Sequence, residues 1–184
     1  MPHIDLPAGL PGIIGLLAYR PTTAKPLSEL AEVLLRSDNS LSRGERELIA
    51  AYVSSLNECQ FCDASHSTFA AAQLADGMDV VRAVKHDLAT APVSPKLRAL
   101  LAIAAKVHES GRRVTEEDIA AARAEGATDV ELHDTVLIAA AFCMYNRYVD
   151  GLGTWAPTEQ ADYDAAAALI VDHGYIAALT PPPV

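Results

Sequence analysis

The 184-residue sequence has few aromatic residues, few cations and only three cysteines. Aromatic side chains make up 5% of the chain although 51% of its residues are hydrophobic, because alanine occurs 34 times. Alanine is the best helix former and offers a β-sheet little to pack. No stretch alternates apolar and polar residues for long enough to require a strand. These deficits favour an all-α domain with closely packed helices.

Positive charge is also scarce. Lys and Arg number 14 against 24 Asp and Glu, which gives a formal net charge of −10. This balance argues against nucleic acid and an anionic membrane surface as partners, because binding to phosphates requires clustered Lys and Arg. No run of 18 apolar residues predicts a membrane span. The first residues lack the basic region of a secretory signal, so we expect a cytoplasmic protein.

Proline and glycine suggest how the chain is organised. Residues 1–26 are rich in both and predict an N-terminal arm that lies on the surface or around a neighbour. Residues 27–180 predict a single helical domain. Residues 181–184 begin with three prolines and predict a tail that cannot continue a helix. Within the domain, Ser42 and Glu45 have the spacing of a capping box at the start of a helix.

The side chains that could carry out chemistry lie close together in sequence. Cys59 and Cys62 are three residues apart, so they share one face of a predicted helix, and His66 follows Cys62 by one turn. An imidazole can accept the proton of a thiol, and the thiolate is the reactive form. We expect the start of the helix to lower the pKa of Cys59 further. If the preceding helix folds back as a hairpin, Glu47 reaches towards His66 and orients its ring.

Other interpretations fit the same residues. Zinc needs four ligands, and this segment offers three, Cys59, Cys62 and His66, with Glu47, Asp63 or a distant histidine as the fourth. The two cysteines could also be structural, and Glu47 could be a solvated helix residue. A thioredoxin-like site requires a βαβ context, which this sequence lacks.

Further acidic side chains lie near the cysteines or late in the chain. Glu58 directly precedes Cys59, and a negative charge so close raises the pKa of a thiol, which argues against Glu58 as an activating group. Arg147 and Asp150 are spaced to form an ion pair on a helix or to line the site. We favour the ion pair, which is a structural role.

The pattern formed by Glu47, the Cys-Gln-Phe-Cys segment at 59–62 and His66 resembles a known motif. It is similar to that of the alkyl hydroperoxidase D (AhpD)-like proteins of the carboxymuconolactone decarboxylase superfamily, in their peroxidase-related branch. Segments 41–49 and 146–151 also resemble these proteins. The best-known hydroperoxidases carry a histidine where this chain has Phe61, so one relay group is missing.

The resemblance implies an AhpD-like all-α fold around a CxxC-bearing hairpin, assembled as a trimer, dimer or hexamer. It implies a thiol-dependent peroxidase of the alkyl hydroperoxide reductase type, which needs no cofactor or metal. Cys62 would attack the hydroperoxide, Cys59 would resolve the sulfenic acid as a disulfide, and Glu47 with His66 would relay protons. An external dithiol such as a lipoyl group would reduce the disulfide. The alternative is a non-peroxidase thiol-disulfide oxidoreductase, redox sensor or small-molecule-binding member of the family.

Overall fold

The computed structural model describes residues 1–177, and within that range it contains nine α-helices, one short 3-10 helix and no β-strand. The predicted all-α class is therefore confirmed. None of the helices in this range is long and apolar enough to cross a membrane. The predicted tail at 181–184 and the end of the predicted domain at 178–180 lie outside the described residues. The helices are α1 (Gly12–Tyr19), α2 (Pro21–Arg36), α3 (Arg43–Leu56), α4 (Gln60–Ala71), α5 (Gly77–His86), α6 (Pro95–Glu109), α7 (Glu116–Ala124), α8 (Asp129–Gly151) and α9 (Gln160–Ala177), with the 3-10 helix at Gly111–Arg113.

The N-terminal segment contains more helix than its proline and glycine content predicts. All of α1 and the start of α2 lie within residues 1–26, and the predicted division after residue 26 falls inside α2. Pro21 occupies the first turn of α2, where its missing N–H removes no helical hydrogen bond. Leu16 is fully buried and Ala24 almost so. Tertiary burial therefore outweighs the local helix-breaking signals.

The start of α3 is fixed by the predicted capping box, which is confirmed. The Ser42 hydroxyl accepts from the Glu45 N–H at 3.2 Å, and the Glu45 carboxylate accepts from the Ser42 N–H at 2.7 Å. This start places Glu47 on the buried face of α3. The main core joins α3 to α6 and α8, with fully buried members that include Leu48, Ile49, Leu100, Leu101, Ile138 and Ala139.

A tight turn of three residues connects α3 to α4, and the two helices pack side by side. The Cys59 N–H donates to the Ser54 carbonyl at 3.1 Å and the Glu58 N–H to the Ser55 carbonyl at 3.0 Å. These two bonds define a Schellman motif, with Glu58 at the left-handed position. Cys59, the next residue, is the N-cap of α4. One motif thus ends α3 and places both thiols at the start of α4.

Candidate active site

Glu47 from α3 and His66 from α4 meet in the protein interior. Nδ1 of His66 lies 2.7 Å from Oε2 of Glu47, and Glu47 is only 1% exposed. The predicted contact is confirmed, and the interpretation of Glu47 as a solvated residue is wrong. Because an ionised carboxylate only accepts hydrogen bonds, Nδ1 carries the proton and Nε2 is the basic nitrogen. Nε2 has no hydrogen-bond partner among residues 1–177.

The imidazole of His66 is held by aromatic rings on two sides. The Phe142 ring meets it edge-on with centroids 4.5 Å apart, and the Phe69 ring does so at 5.2 Å. Edge-to-face contacts of this kind are favourable and depend on orientation. Together with the bond to Glu47, they fix the plane of the imidazole before any substrate arrives.

Both cysteines of the pair are free thiols and buried. Cys59 is fully buried and Cys62 is 4% exposed, and both pack with Leu16, Phe61 and Val149. The pKa of Cys59 is raised, first by its hydrogen bond with the Cys62 side chain and then by burial. The expectation that the helix start lowers the pKa of Cys59 is therefore wrong, since these effects outweigh it. Both effects favour the protonated form of the Cys59 thiol.

Asp150, near the end of α8, is a neighbour of Cys59. Its carboxylate forms a hydrogen bond with the Cys59 thiol, which also raises the pKa of that thiol. The ion pair favoured from sequence does not form within the described part of the chain, where Arg147 donates to the Cys143 carbonyl at 2.9 Å. The structural interpretation of Asp150 was thus wrong. Its carboxylate accepts a hydrogen bond from the thiol and helps to keep the proton on Cys59.

A small apolar cavity of about 70 Å³ adjoins Cys62 and His66. One water in the liquid occupies about 30 Å³, so the cavity has room for a small group only. An apolar lining with a few polar groups at one end favours a small ligand that is mostly apolar. The lining comes from five helices and consists of Ile13, Leu17, Leu27, Ser28, Ala31, Phe61, Cys62, His66, Phe142, Tyr145 and Tyr175.

Phe61 packs against the N-terminal segment. A Cβ added to Gly12 would lie 2.2 Å from the Phe61 ring, so only glycine allows α1 to approach this closely. Gly12 also has a positive φ of 51°. The position where the best-known hydroperoxidases carry a relay histidine is therefore occupied by a ring that anchors α1 over the thiols.

Tyr175 in α9 is the site residue that sequence reasoning missed. Its hydroxyl donates to Oε1 of Glu47 at 2.6 Å. Burial and the charge of Glu47 raise the pKa of Tyr175 well above its usual value. The residues are 128 positions apart, so no local pattern joins them. The one available signal was Gly174, because a glycine marks the end of a helix or a break in it.

Residues 1–177 also contain a second cavity. A larger cavity of about 670 Å³ lies between α4, α5 and α9 and shares no lining residue with the cavity at the thiols. In the same range, no three or more His, Cys, Asp and Glu side chains form a group that could hold a metal ion.

The all-α fold is similar to that of the AhpD-like proteins. The model of the carboxymuconolactone decarboxylase family matches residues 21–106, a range that contains Glu47, both thiols and His66. The resemblance to the AhpD-like, peroxidase-related branch of this superfamily is thus confirmed.

Two solved structures have a similar fold. The chain is 28% identical to an uncharacterized peroxidase-related protein from Ralstonia eutropha JMP134, described as an alkylhydroperoxidase AhpD core, with a TM-score of 0.75 over 84% of this chain and 79% of that one. It has the same fold as an uncharacterized peroxidase-related protein from Silicibacter sp. TM1040, at 22% identity and a TM-score of 0.77, over 89% of this chain and 94% of that one. No curated protein matches the chain.

Proposed function

We propose that the chain is a thiol-dependent peroxidase that reduces a hydroperoxide with the Cys59/Cys62 pair. The observation that carries the proposal is the buried 2.7 Å contact between Glu47 and His66, in a site where His66 and Cys62 line one cavity. A base held this way, next to a nucleophile, is the usual arrangement for activating a thiol. The similar protein from Ralstonia eutropha is described as peroxidase-related, which agrees with this chemistry.

In the first step, the Cys62 thiol passes its proton through a water in the shared cavity to Nε2 of His66, and the charge of Glu47 stabilises the imidazolium. The Cys62 thiolate attacks one peroxide oxygen, so that an S–O bond forms while the O–O bond breaks. The leaving alkoxide takes a proton from the imidazolium and departs as the alcohol. The sulfur has given two electrons to the peroxide, and Cys62 is now a sulfenic acid.

In the second step, the Cys59 sulfur attacks the sulfur of the Cys62 sulfenic acid. An S–S bond forms, the S–O bond breaks, and hydroxide combines with the proton of Cys59 to leave as water. This step protects Cys62 from irreversible oxidation to sulfinic acid. An external dithiol, of which a lipoyl group is one example, then reduces the disulfide by two thiol-disulfide exchanges.

To test the proposal, the reduced, folded protein is exposed to ethyl hydroperoxide, a substrate small enough for the cavity. The protein is then unfolded and its remaining thiols are counted. We expect two of the three thiols per chain to be lost, with one alcohol formed. Cys143→Ser is the control and should still lose two, whereas Cys62→Ser should form no alcohol. Turnover that survives Cys62→Ser contradicts the proposal. A disulfide that cycles with dithiols while no hydroperoxide is consumed indicates the thiol-disulfide oxidoreductase alternative.

A further inference from the structure

We propose that Tyr175 is a positioning residue, whose hydroxyl holds Glu47 in the orientation that its contact with His66 requires. This inference deepens the proposed peroxidase function and rests on it. The Tyr175 hydroxyl donates to Oε1 of Glu47 at 2.6 Å, while His66 lies 2.7 Å from Oε2. Each carboxylate oxygen therefore has one partner, and rotation of the carboxylate would break both bonds.

The second donor matters because Glu47 is buried. A carboxylate removed from water needs hydrogen bonds to remain ionised, and charged acceptors form the stronger ones. Burial raises the pKa of Tyr175, so its hydroxyl keeps its proton and remains a donor throughout the physiological range. Tyr175 thus holds and stabilises Glu47, and it does not transfer protons itself.

The backbone of α9 is shaped to deliver this hydroxyl. The helix breaks at Gly174, which has φ 83° and ψ 179°. Arg36 from α2 donates to the carbonyls of Ile170 and Val171, at 2.7 and 3.0 Å, just before the break. These bonds satisfy carbonyls that the interrupted helix leaves without partners.

Glu32, one turn before Arg36 on α2, secures the other side of the break. Its carboxylate accepts from the Tyr175 N–H at 2.7 Å and pairs with the Arg36 guanidinium at 3.1 Å. A Cβ on Gly174 would lie 2.4 Å from the same carboxylate. The positive φ and this close approach both require glycine at 174, so α2 and α9 together set the position of Tyr175.

The groups that face Tyr175 come from four other helices. Glu32 and Arg36 on α2 pair with each other, and Tyr145 on α8 donates to the Leu27 carbonyl at 2.9 Å. Glu47 on α3 and His66 on α4 complete the set; the His66 ring is stacked on the Tyr175 ring with centroids 6.3 Å apart. Removal of the Tyr175 hydroxyl therefore acts on the Glu47–His66 pair, since the other groups have their own partners.

The test compares Tyr175→Phe with Tyr163→Phe. Tyr163 is a matched control, because it is also buried in α9 and its hydroxyl donates to the Pro157 carbonyl, outside the site. Without its second donor the Glu47–His66 pair should take up a proton more readily. In Tyr175→Phe we expect the acidic limb of the rate-against-pH profile to move up by about one pH unit, so that the rate low on that limb falls by about tenfold. Tyr163→Phe should change neither.

A second measurement does not depend on turnover. The ring of His66 is titrated by NMR in the reduced protein without hydroperoxide, with its signal assigned from His66→Gln. We expect the pH midpoint of the His66 titration to rise in Tyr175→Phe. It should also rise in Gly174→Ala, which keeps the Tyr175 hydroxyl but displaces it. If the wild type consumes no hydroperoxide, the proposed function fails, while this titration still tests Tyr175. A midpoint that is the same in wild type, Tyr175→Phe and Tyr163→Phe overturns the inference.

Discussion

At the scale of single residues, Glu58 has the most unusual backbone in the site. Its φ of 58° makes it the one residue other than glycine with a positive φ in the described range. A side chain in this conformation costs about 1–2 kcal/mol, and glycine usually takes this place in a Schellman motif. Strain of this kind often lies beside functional groups, and here it lies directly before Cys59.

Glu58→Gly is therefore expected to stabilise the protein. Relief of the left-handed strain outweighs the extra freedom of glycine in the unfolded chain, for a net gain of about 0.5–1 kcal/mol. The measurement is the free energy of unfolding in urea. Glu58→Ala is the control, because it removes the carboxylate but keeps the Cβ. An equal gain in Glu58→Ala would assign the effect to charge and refute the argument from strain.

The sequence predicts which local residues form the site better than it predicts their pKa values and their distant contacts. The spacing of Cys59, Cys62 and His66 places them on one helix, so their proximity follows from helical periodicity. The raised pKa of Cys59 depends first on its hydrogen bond with Cys62 and then on burial, and the burial could not be predicted because it comes from tertiary packing. Tyr175 was missed for the same reason, since only tertiary packing brings it to Glu47.

At the scale of helices, Glu131 joins the start of α8 to its neighbours. Its buried carboxylate accepts from Lys96 on α6 at 2.7 Å, from Ser40 in the α2–α3 loop at 2.8 Å and from the Thr128 N–H at 2.8 Å. Burial raises the pKa of Glu131, but these hydrogen bonds outweigh burial and lower its pKa to about 2. The folded protein therefore binds this proton far more weakly than the unfolded chain does.

This difference predicts how stability depends on pH. The folded pKa of Glu131, about 2, lies below its ordinary value of 4.5, so the contribution of the carboxylate is present above pH 4.5 and is lost as pH falls towards 2. Its size is about 3 kcal/mol, at about 1.36 kcal/mol for each pH unit between the two values. Glu131→Gln should be less stable at pH 7 and lose less stability between pH 4.5 and 2. The measurement is the free energy of unfolding in urea across this pH range, with Glu125→Gln, at an exposed position, as the control. If the free energy falls in parallel with pH in the wild type and both variants, the prediction is contradicted.

The helices also show where sequence reasoning fails. The capping box at Ser42 and Glu45 is a local signal, and the start of α3 follows it. The helix α1 has no such cap, and its residues predicted an arm on the surface or around a neighbour. It forms because Leu16 becomes buried and because Gly12 lets the backbone approach Phe61. Neither contact can be inferred from neighbouring residues.

At the scale of the whole molecule, we propose that the chain forms a homo-oligomer, as its resemblance to AhpD-like proteins implies. Val130, Leu137 and Met144 are exposed on α8 at intervals of seven residues. This spacing is typical of a seam between two helices. A second copy of the chain that packed on this face would remove the three side chains from water.

Sedimentation equilibrium should accordingly give a multiple of 19.5 kDa at micromolar concentration. Leu137→Lys should reduce the measured mass, because it places a charge in the middle of the seam. Leu169→Lys is the control, since Leu169 is equally apolar and exposed but lies on α9. A wild-type monomer would contradict the oligomer itself, and an unchanged mass in Leu137→Lys would exclude this face of α8.

The cover that α1 forms over the thiols has a consequence for kinetics. Cys59 is fully buried, and the backbone of Gly12 lies against Phe61. In the peroxidase cycle that we propose, a dithiol reductant larger than the cavity reaches the oxidised pair only after α1 has moved away. This movement of α1 then becomes a step that precedes reduction and does not involve the reductant. At high reductant concentration the rate of reduction should level off at the rate of opening, so the N-terminal helix sets an upper limit on turnover.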